Sequence, residues 1–480
     1  MNSISVPVSL GEAFDKLSIL DIKCQRIKSQ EKLEKIYKEK DALFDTLRNL
    51  FTSNEIILLY GQLLHVNGLL WDVEDFLRIY ETRNNTSSPQ FTQHAREVYV
   101  LNDLRAEVKR SIDNLLGSQL QEVKSYAPYK KGKLLLLPHM GLGDMIILNG
   151  FIRYKCLFHT EVRVVVFKKY AESIRFMFRD LNNITYEEVL CEADISPNYA
   201  MVVPQRLSDL VERDGYEYLP LGVHGRDALW QTRAYDFAEC FYLQGGVSYE
   251  VRSRFGYVMR DLIAEHAFAE RVKAAIGSAK YRILHDDPDR KLLIDRSKLV
   301  PGSPFFHVAT RTISGADVFS NNIFDYCTLI DSAEEYHGMD SSFALMLDLV
   351  HSKCPKINIH AYVKRDIHAK LYPSISINFV GGVTRICRPV IIEKSAEDTL
   401  AMTVRDTIKD NPDATHIVAV EKGFNVGDIA SFLTFREPLV WSDYARIAIG
   451  TRCIVFPVAR FGLPVDSRST WYMLNDPTVC

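Results

Sequence analysis

The feature that most restricts the fold lies between residues 125 and 385, where short β-rich runs alternate with helical patterns. Runs at 134–137, 162–167, 184–189 and 200–203 form one set, and runs at 281–285, 305–308, 335–339 and 357–363 form a second. A strand that is apolar on both sides of its two-residue repeat has to be covered on both faces. Parallel sheets with helical crossovers provide that cover. Two such sets, joined by a polar helical stretch at 254–279, predict two doubly wound α/β lobes.

The flanking segments read differently. In residues 1–124, Ser9-Leu10-Gly11-Glu12 has capping-box spacing, in which the Ser accepts from a free N–H and the Glu reaches back. Leu10, Phe14, Leu17, Asp21, Cys24 and Ile27 then follow a rhythm of three to four residues. Further stripes run from Ile56 to Tyr80 and from Val98 to Leu115, with a loop at 84–89. This predicts antiparallel helices in a hairpin or small bundle. Residues 386–480 carry weaker signals: strands at 416–420 and 453–458 and a helix at 397–409, extending the second lobe or packing across both. The expected organisation is 1–124 helical, 125–255 first lobe, 256–385 second lobe and 386–480 a C-terminal extension.

Composition excludes some functions. A net charge of -3 argues against a nucleic-acid binder carried by bulk charge. Unbroken apolar runs fall short of the ~18–20 residues that span a membrane, which leaves peripheral contact through an amphipathic surface as the membrane option. The first residues lack the pattern of a signal peptide. Nine scattered Cys without a C-x-x-C pair read as reduced thiols rather than a zinc site or a disulfide frame, so a cytoplasmic location is expected.

Three segments hold candidate chemistry. In LLLLPHMGLGDMIILNGF, residues 134–151, a buried strand runs into a glycine turn and then a helix. Gly141 and Gly143 let a ligand approach the backbone, and a helix start offers free N–H groups to an anion. The run lacks the Gly-Lys-Ser/Thr ending of a P-loop and the third glycine of a dinucleotide fingerprint. Asp144 and His139 are the candidate bases there, with a helix cap and a packing histidine as the plain structural alternatives. In YRILHDDPDR, residues 281–290, a strand ends at His285-Asp286-Asp287, and Arg290 offers a planar donor suited to a diphosphate. A polar turn is the alternative. Adjacent Asp286 and Asp287 are too few oxygens for a hard cation, so no metal is expected. In AEEYHGMDSSFALMLDL, residues 333–349, Asp340 is the expected helix cap, and Ser341 and Ser342 with the helix N–H groups form an anion cradle. Tyr336 and His337 are placed at the pocket wall. A weaker candidate, Tyr249 with Arg252 and Arg254, lies where an acceptor would enter, though a solvated loop is the favoured reading.

These motifs resemble known families. Residues 134–151 resemble the opening of the first lobe in GT-B glycosyltransferases, above all the heptosyltransferase-like group, whose G-x-G-D turn supplies the general base on the acceptor hydroxyl. The resemblance carries that role to Asp144, with His139 as its rival. Residues 281–290 resemble more loosely the His-x-Arg-Arg-x-Asp region of fucosyltransferase-type enzymes, with acids in place of the paired arginines. Asp340-Ser341-Ser342-Phe343 resembles the donor-phosphate segment of both groups. Residues 1–120, most clearly from Ile4 to Ile27, resemble a small helical domain of unknown function encoded near bacterial surface-polysaccharide enzymes, which implies a docking or oligomerising module. Lys16, Asp21, Lys23 and Arg26 of that stretch read as surface charges.

The resulting expectation is an α/β protein with two Rossmann-like lobes (GT-B) behind an all-α domain. The resemblance implies transfer of a sugar from a nucleotide-diphosphate sugar to a glycan or glycolipid hydroxyl, with no cofactor or metal required. Asp144 and His139 are the catalytic candidates. His285, Arg290, Asp340, Ser341, Ser342, Gly141 and Gly143 are the donor-binding candidates. The alternatives are a nucleotide-sugar epimerase on the same scaffold and a non-catalytic glycan- or nucleotide-binding scaffold.

Overall fold

The computed structural model describes residues 6–125, 129–139, 141–190, 204–221, 237–286, 292–296, 299–360, 372–380, 383–385, 389–393, 416–420 and 453–457. The chain divides into two compact units, residues 1–269 with 320–328, and residues 270–319 with 329–480.

Four helices open the first unit: α1 (Leu10–Arg26), α2 (Gln30–Leu47), α3 (Asn54–Thr82) and α4 (Pro89–Leu116). A serine stands at the cap position of all four, and three of these serines pair an orphan N–H group, as helix starts favour. Ser9 accepts from Glu12 N at 3.1 Å, Ser53 from Ile56 N at 3.3 Å and Ser88 from Phe91 N at 3.1 Å. The capping box is half made, because the Glu12 carboxylate pairs with Lys109 of α4 instead of turning back. Phe14, Leu17, Leu47, Ile56, Leu63, Val108 and Ile112 form the core. Asp15 is buried within it and accepts from Arg105 Nε at 2.9 Å and Asn67 Nδ2 at 2.8 Å. Asp21 and Arg26 are not idle surface charges: Asp21 pairs with Lys40 at 2.6 Å and accepts from Tyr60, and Arg26 pairs with Asp72. Helix α3 bears on the expectation about membrane length. Gln62, His65 and Asn67 break its apolar residues into short runs, yet the whole helix is long and apolar enough to cross a membrane. Here it buries Leu63, Val66, Leu69, Leu70 and Val73.

The α/β part of this unit contains β1 (Lys131–Leu137), α5 (Leu142–Ile147), α6 (Asn149–Phe158), β2 (His159–Phe167), α7 (Ala171–Met177), β3 (Ile184–Val189), α8 (Ser208–Glu212) and β4 (Tyr216–Pro220). All four strands are parallel, in the order β3-β2-β1-β4. Leu135, Leu137, Val165, Val189, Leu207 and Tyr216 pack as one cluster. Strands β1, β2 and β3 fall on the expected runs, although β3, Ile-Thr-Tyr-Glu-Glu-Val, is only partly apolar. Strand β4 was not expected, since Tyr-Glu-Tyr-Leu-Pro lacks a continuous apolar run, and the expected run at 200–203 lies outside the described residues.

The helical bundle is fastened to this α/β part. Glu97 of α4 is fully buried and accepts from Arg254 Nη2 at 2.6 Å. His65 of α3 stacks on Tyr257 at 4.2 Å, and Gln62 donates to the Asp180 carbonyl at 3.4 Å. Beneath them Arg153 and Asp180 form a buried bidentate pair, both bonds 2.8 Å. Burial alone would raise the Asp180 pKa, but the Arg153 charge and its hydrogen bonds outweigh this and hold the carboxyl below its usual range.

In the second unit β5 (Arg282–His285), β7 (Phe305–His307), β10 (Glu335–Met339), β11 (Ile357–His360) and β12 (Ile377–Val380) form a parallel sheet in the order β12-β11-β10-β5-β7. Between them β6 (Leu292–Ile294) pairs with β13 (Val383–Arg385), and β8 (Thr312–Ile313) pairs with β9 (Ala316–Asp317). A helix at Ser342–Leu349 buries Phe343, Ala344, Leu345, Met346 and Leu347. The C-terminal strands do not extend the main sheet. Strand β14 (Pro389–Glu393) lies parallel to β15 (His416–Val420), which lies antiparallel to β16 (Cys453–Pro457), in a sheet of their own. The helix expected at 397–409 falls outside the described residues. The architecture is α/β, with two parallel, Rossmann-like sheets behind an N-terminal helical stretch.

Candidate functional site

Each parallel sheet reverses its strand order once, and ligands of open α/β sheets sit beyond the carboxyl ends of the strands at that reversal. In the first sheet the chain runs outward from β1 to β2 and β3, then returns to the other side of β1 with β4. The reversal therefore lies between β1 and β4. His139 follows β1 directly, and Asp144 lies in the first turn of α5.

These two residues meet. His139 Nδ1 lies 2.5 Å from Asp144 Oδ2, and their side chains are 30% and 16% exposed, open enough to reach a substrate. Gly141 makes room for the pair, since a Cβ there would stand 2.6 Å from Asp144 Oδ2. The Phe241 ring stacks against His139 at 6.2 Å. Its neighbour Tyr242 is buried and donates to the Ile147 carbonyl at 2.7 Å, which fixes the end of α5. Gly143 lies in the first turn of α5, and no side chain caps that turn. The pair thus joins the two residues that the sequence offered as candidate bases.

In the second sheet the chain goes from β5 to β7 on one side, then to β10, β11 and β12 on the other, so the reversal lies between β5 and β10. His285 ends β5, and Asp340, Ser341 and Ser342 follow β10. His285 Nδ1 lies 3.3 Å from Ser341 Oγ and 3.4 Å from Tyr336 Oη, and its ring packs on Phe343 at 4.4 Å. Burial pushes the imidazole pKa down to about 3, with His307 adding to the effect, so His285 is neutral near pH 7. Gly338 permits the arrangement, because a Cβ on it would collide with the Tyr336 ring lying across the strand.

Several expectations are corrected here. Asp340 is not the helix cap. Ser341 holds the cap position, without a side-chain cap bond, while Asp340 is buried and accepts from Tyr372. His337 does not share a wall with Tyr336, because alternation along β10 sends it to the other face. There it meets Glu335 at 2.8 Å and His360 at 3.1 Å. Arg252 donates to Tyr249 at 2.7 Å and Arg254 is bound to Glu97, so both serve local packing. Arg290 and Asp287 lie outside the described residues.

Asp286 has a role that the sequence reading missed. It is 3% exposed and accepts from Ile294 N at 2.8 Å, Arg296 Nη2 at 2.5 Å and His307 Nε2 at 3.1 Å. His307 Nδ1 accepts from Ala309 N at 3.1 Å, so its ring proton sits on Nε2, toward Asp286. Burial would raise the Asp286 pKa, but His307, the Ile294 N–H and Arg296 outweigh it and hold the carboxyl low. Arg296 is exposed beyond this anchor, a cation held one residue from His285. Its signal in sequence was slight, a lone arginine ten residues past Asp286. Among the described residues no group of three or more His, Cys, Asp or Glu is placed to hold a metal ion.

The chain matches no protein-family model, and no curated protein matches it. Among solved structures it is similar to a glycosyl transferase family 9 protein from Veillonella parvula DSM 2008. The two share 8% identity with a TM-score of 0.32, over 64% of this chain and 98% of that one. A likeness at this level does not by itself establish a shared fold or activity.

Proposed function

We propose that the chain is a glycosyltransferase that moves a sugar from a nucleotide-diphosphate donor to a hydroxyl of a glycan or glycolipid. The observation that carries this reading is the His139–Asp144 pair at the strand-order reversal of the first sheet. The acceptor hydroxyl loses its proton to this pair as its oxygen attacks the anomeric carbon, while the bond from that carbon to the diphosphate oxygen breaks. The 2.5 Å contact merges the two candidate bases into one unit, in which His139 takes the proton and Asp144 orients it.

The second reversal supplies the donor side. Ser341, Ser342 and the N–H groups of the helix they open suit phosphate oxygens. A neutral His285 adds a hydrogen-bonding group without adding charge. Arg296, anchored by Asp286, balances the negative charge of the departing diphosphate.

A thermal-shift screen against UDP, GDP, ADP, CMP and dTDP, with and without EDTA, tests the donor side. A ligand at a hundredfold excess over Kd raises apparent stability by about 2.7 kcal/mol. A shift with one nucleotide that survives EDTA names the donor class and favours a metal-independent transferase. A shift lost in EDTA removes the metal-independent reading. No shift with any nucleotide removes the enzyme reading in favour of a scaffold.

A further inference from the structure

One helix reaches both halves of the His139–Asp144 pair. Residues Phe237–Gln244 form α9, which Gly245 and Gly246 bring to an end. Gly246 takes a φ of 66; its N–H donates to the Leu243 carbonyl at 3.0 Å, and Val247 N donates to the Tyr242 carbonyl at 2.9 Å, the paired bonds of a Schellman ending. Gly245 lets this end lie directly on α6, since a Cβ there would stand 2.2 Å from the Phe151 ring. Lys155 Nζ of α6 donates to the Gly245 carbonyl at 2.8 Å. From this anchored helix Phe241 stacks on His139, and the fully buried Tyr242 meets the Phe151 ring edge-on at 5.6 Å. The Tyr242 hydroxyl occupies a break between two helices. Helix α5 ends at Ile147 and α6 begins at Asn149, with Leu148 at ψ 0 between them. In an unbroken helix the Ile147 carbonyl would accept from Phe151 N, four residues on. Here the hydroxyl donates to that carbonyl at 2.7 Å and takes a backbone hydrogen bond from Phe151. A side chain inserted in the ladder in this way turns the helix axis.

We propose that Phe241 and Tyr242 are positioning residues for the His139–Asp144 pair, the first holding the His139 ring and the second setting the course of the helix that carries Asp144. The inference deepens the sugar-transfer reading and rests on it for the chemistry of the pair. Helix α6 is the fixed side of the break. Asn149 Oδ1 accepts from Tyr257 N at 2.9 Å, Arg153 is paired with Asp180, and Gly150 leaves no room for a Cβ against the carbonyls of Val251 and Arg252. A change at the break therefore moves α5. Without the hydroxyl, the buried Ile147 carbonyl and Phe151 N–H would each lack a partner, which costs more than bonding to each other. Their direct bond straightens the helix and shifts Asp144 relative to His139, whose ring stays against Phe241.

Nuclear magnetic resonance of the full chain carrying ring-labelled histidine tests it, with the His139 signal assigned by His139→Gln. Asp144→Asn sets the scale, because it removes the charge that faces the ring. Tyr242→Phe is expected to move the pH at which His139 titrates part of the way to its value in Asp144→Asn, with melting temperature nearly unchanged. Phe241→Leu should do the same and is a second arm should Tyr242→Phe fail to fold. Tyr281→Phe removes a like bond, from a buried phenol to the Leu329 carbonyl at 2.7 Å, and should leave His139 as it is. With the nucleotide sugar that the thermal-shift screen selects, Tyr242→Phe should lower turnover roughly tenfold to a hundredfold, the scale of a small misplacement, while nucleotide affinity holds. A His139 titration that both variants leave unchanged overturns the assignment, as does an equal change in Tyr281→Phe or no change in Asp144→Asn. Each residue stands or falls by its own variant. The titration needs no substrate and so judges the positioning alone, whereas failure of the sugar-transfer reading shows as the absence of any nucleotide shift.

Discussion

His139 Nδ1 and Asp144 Oδ2 lie 2.5 Å apart across a turn in which Gly141 leaves no side chain near them. That spacing makes the glycine testable by itself. At φ -62 and ψ 144 its backbone is one that alanine adopts freely, so any cost of Gly141→Ala comes from the new Cβ meeting the carboxylate. The expected result is a turnover loss of roughly a hundredfold, the scale of a displaced acid–base group, with melting temperature nearly unchanged. Full turnover in this variant would separate the pair from the chemistry.

The two strand-order reversals should separate in binding and rate. Asp144→Asn keeps the shape of the turn but removes the carboxylate charge facing His139. Transfer is expected to fall roughly 10²–10⁴-fold while nucleotide affinity, read by calorimetry, stays the same. Arg296→Ala should do the opposite first, weakening nucleotide binding by about tenfold or more for a lost charge-assisted contact. Equal loss of affinity in both variants would contradict the division of labour.

Acid sensitivity follows from His65. Burial, then the Arg153 charge, lowers its pKa to about 3. The unfolded chain takes up a proton near pH 6.5, which the folded chain refuses until about pH 3. Stability contributed this way is complete above pH 6.5 and declines as the pH falls through that window. His65→Phe keeps the ring stack on Tyr257 and should flatten the slope of unfolding free energy between pH 6.5 and 4. An unchanged slope would show that His65 is protonated in the folded chain.

Glu97 and Arg254 give a stability prediction of known sign. Glu97→Ala leaves the guanidinium in a buried site without its carboxylate and should cost about 3–5 kcal/mol in urea unfolding. Glu97→Leu with Arg254→Met removes both charges and should recover most of that loss. If the double variant is as unstable as the single one, packing rather than charge sets the cost.

Runs that are wholly or mainly apolar were readable as strands, as at Leu134–Leu137 and at Val162–Val166, where Arg163 is the one polar residue. Tyr216–Pro220 was unreadable because it is an edge strand paired with β1, mixed in polarity and mostly half-buried. Helix α2 escaped although Leu33, Ile36, Leu43 and Leu47 repeat at helical spacing, because charged residues outnumber them. The candidate site was legible where glycine and polar residues end an apolar strand, at His139–Asp144 and at Asp340–Ser342. The direction of side chains was not. That His337 faces away from Tyr336 follows from alternation once β10 is a strand, but that Asp340 turns to Tyr372 depends on a partner far along the chain. Asp286 was set aside with Asp287 as too few oxygens for a metal, and its anchoring role was missed because its partners Arg296 and His307 come from later segments that the local motif does not contain.

The seam between the opening helices and the sheet behind them bears on inheritance. Three of its contacts join residues far apart in sequence: Glu97 with Arg254, His65 with Tyr257 and Gln62 with Asp180. A recombination that gained or lost residues 1–124 in one stroke would strand Arg254 without a carboxylate and bare a face of Tyr257. The two stretches are thus bound to descend together. Among relatives, changes at position 97 should be matched at 254, and changes at 65 matched at 257.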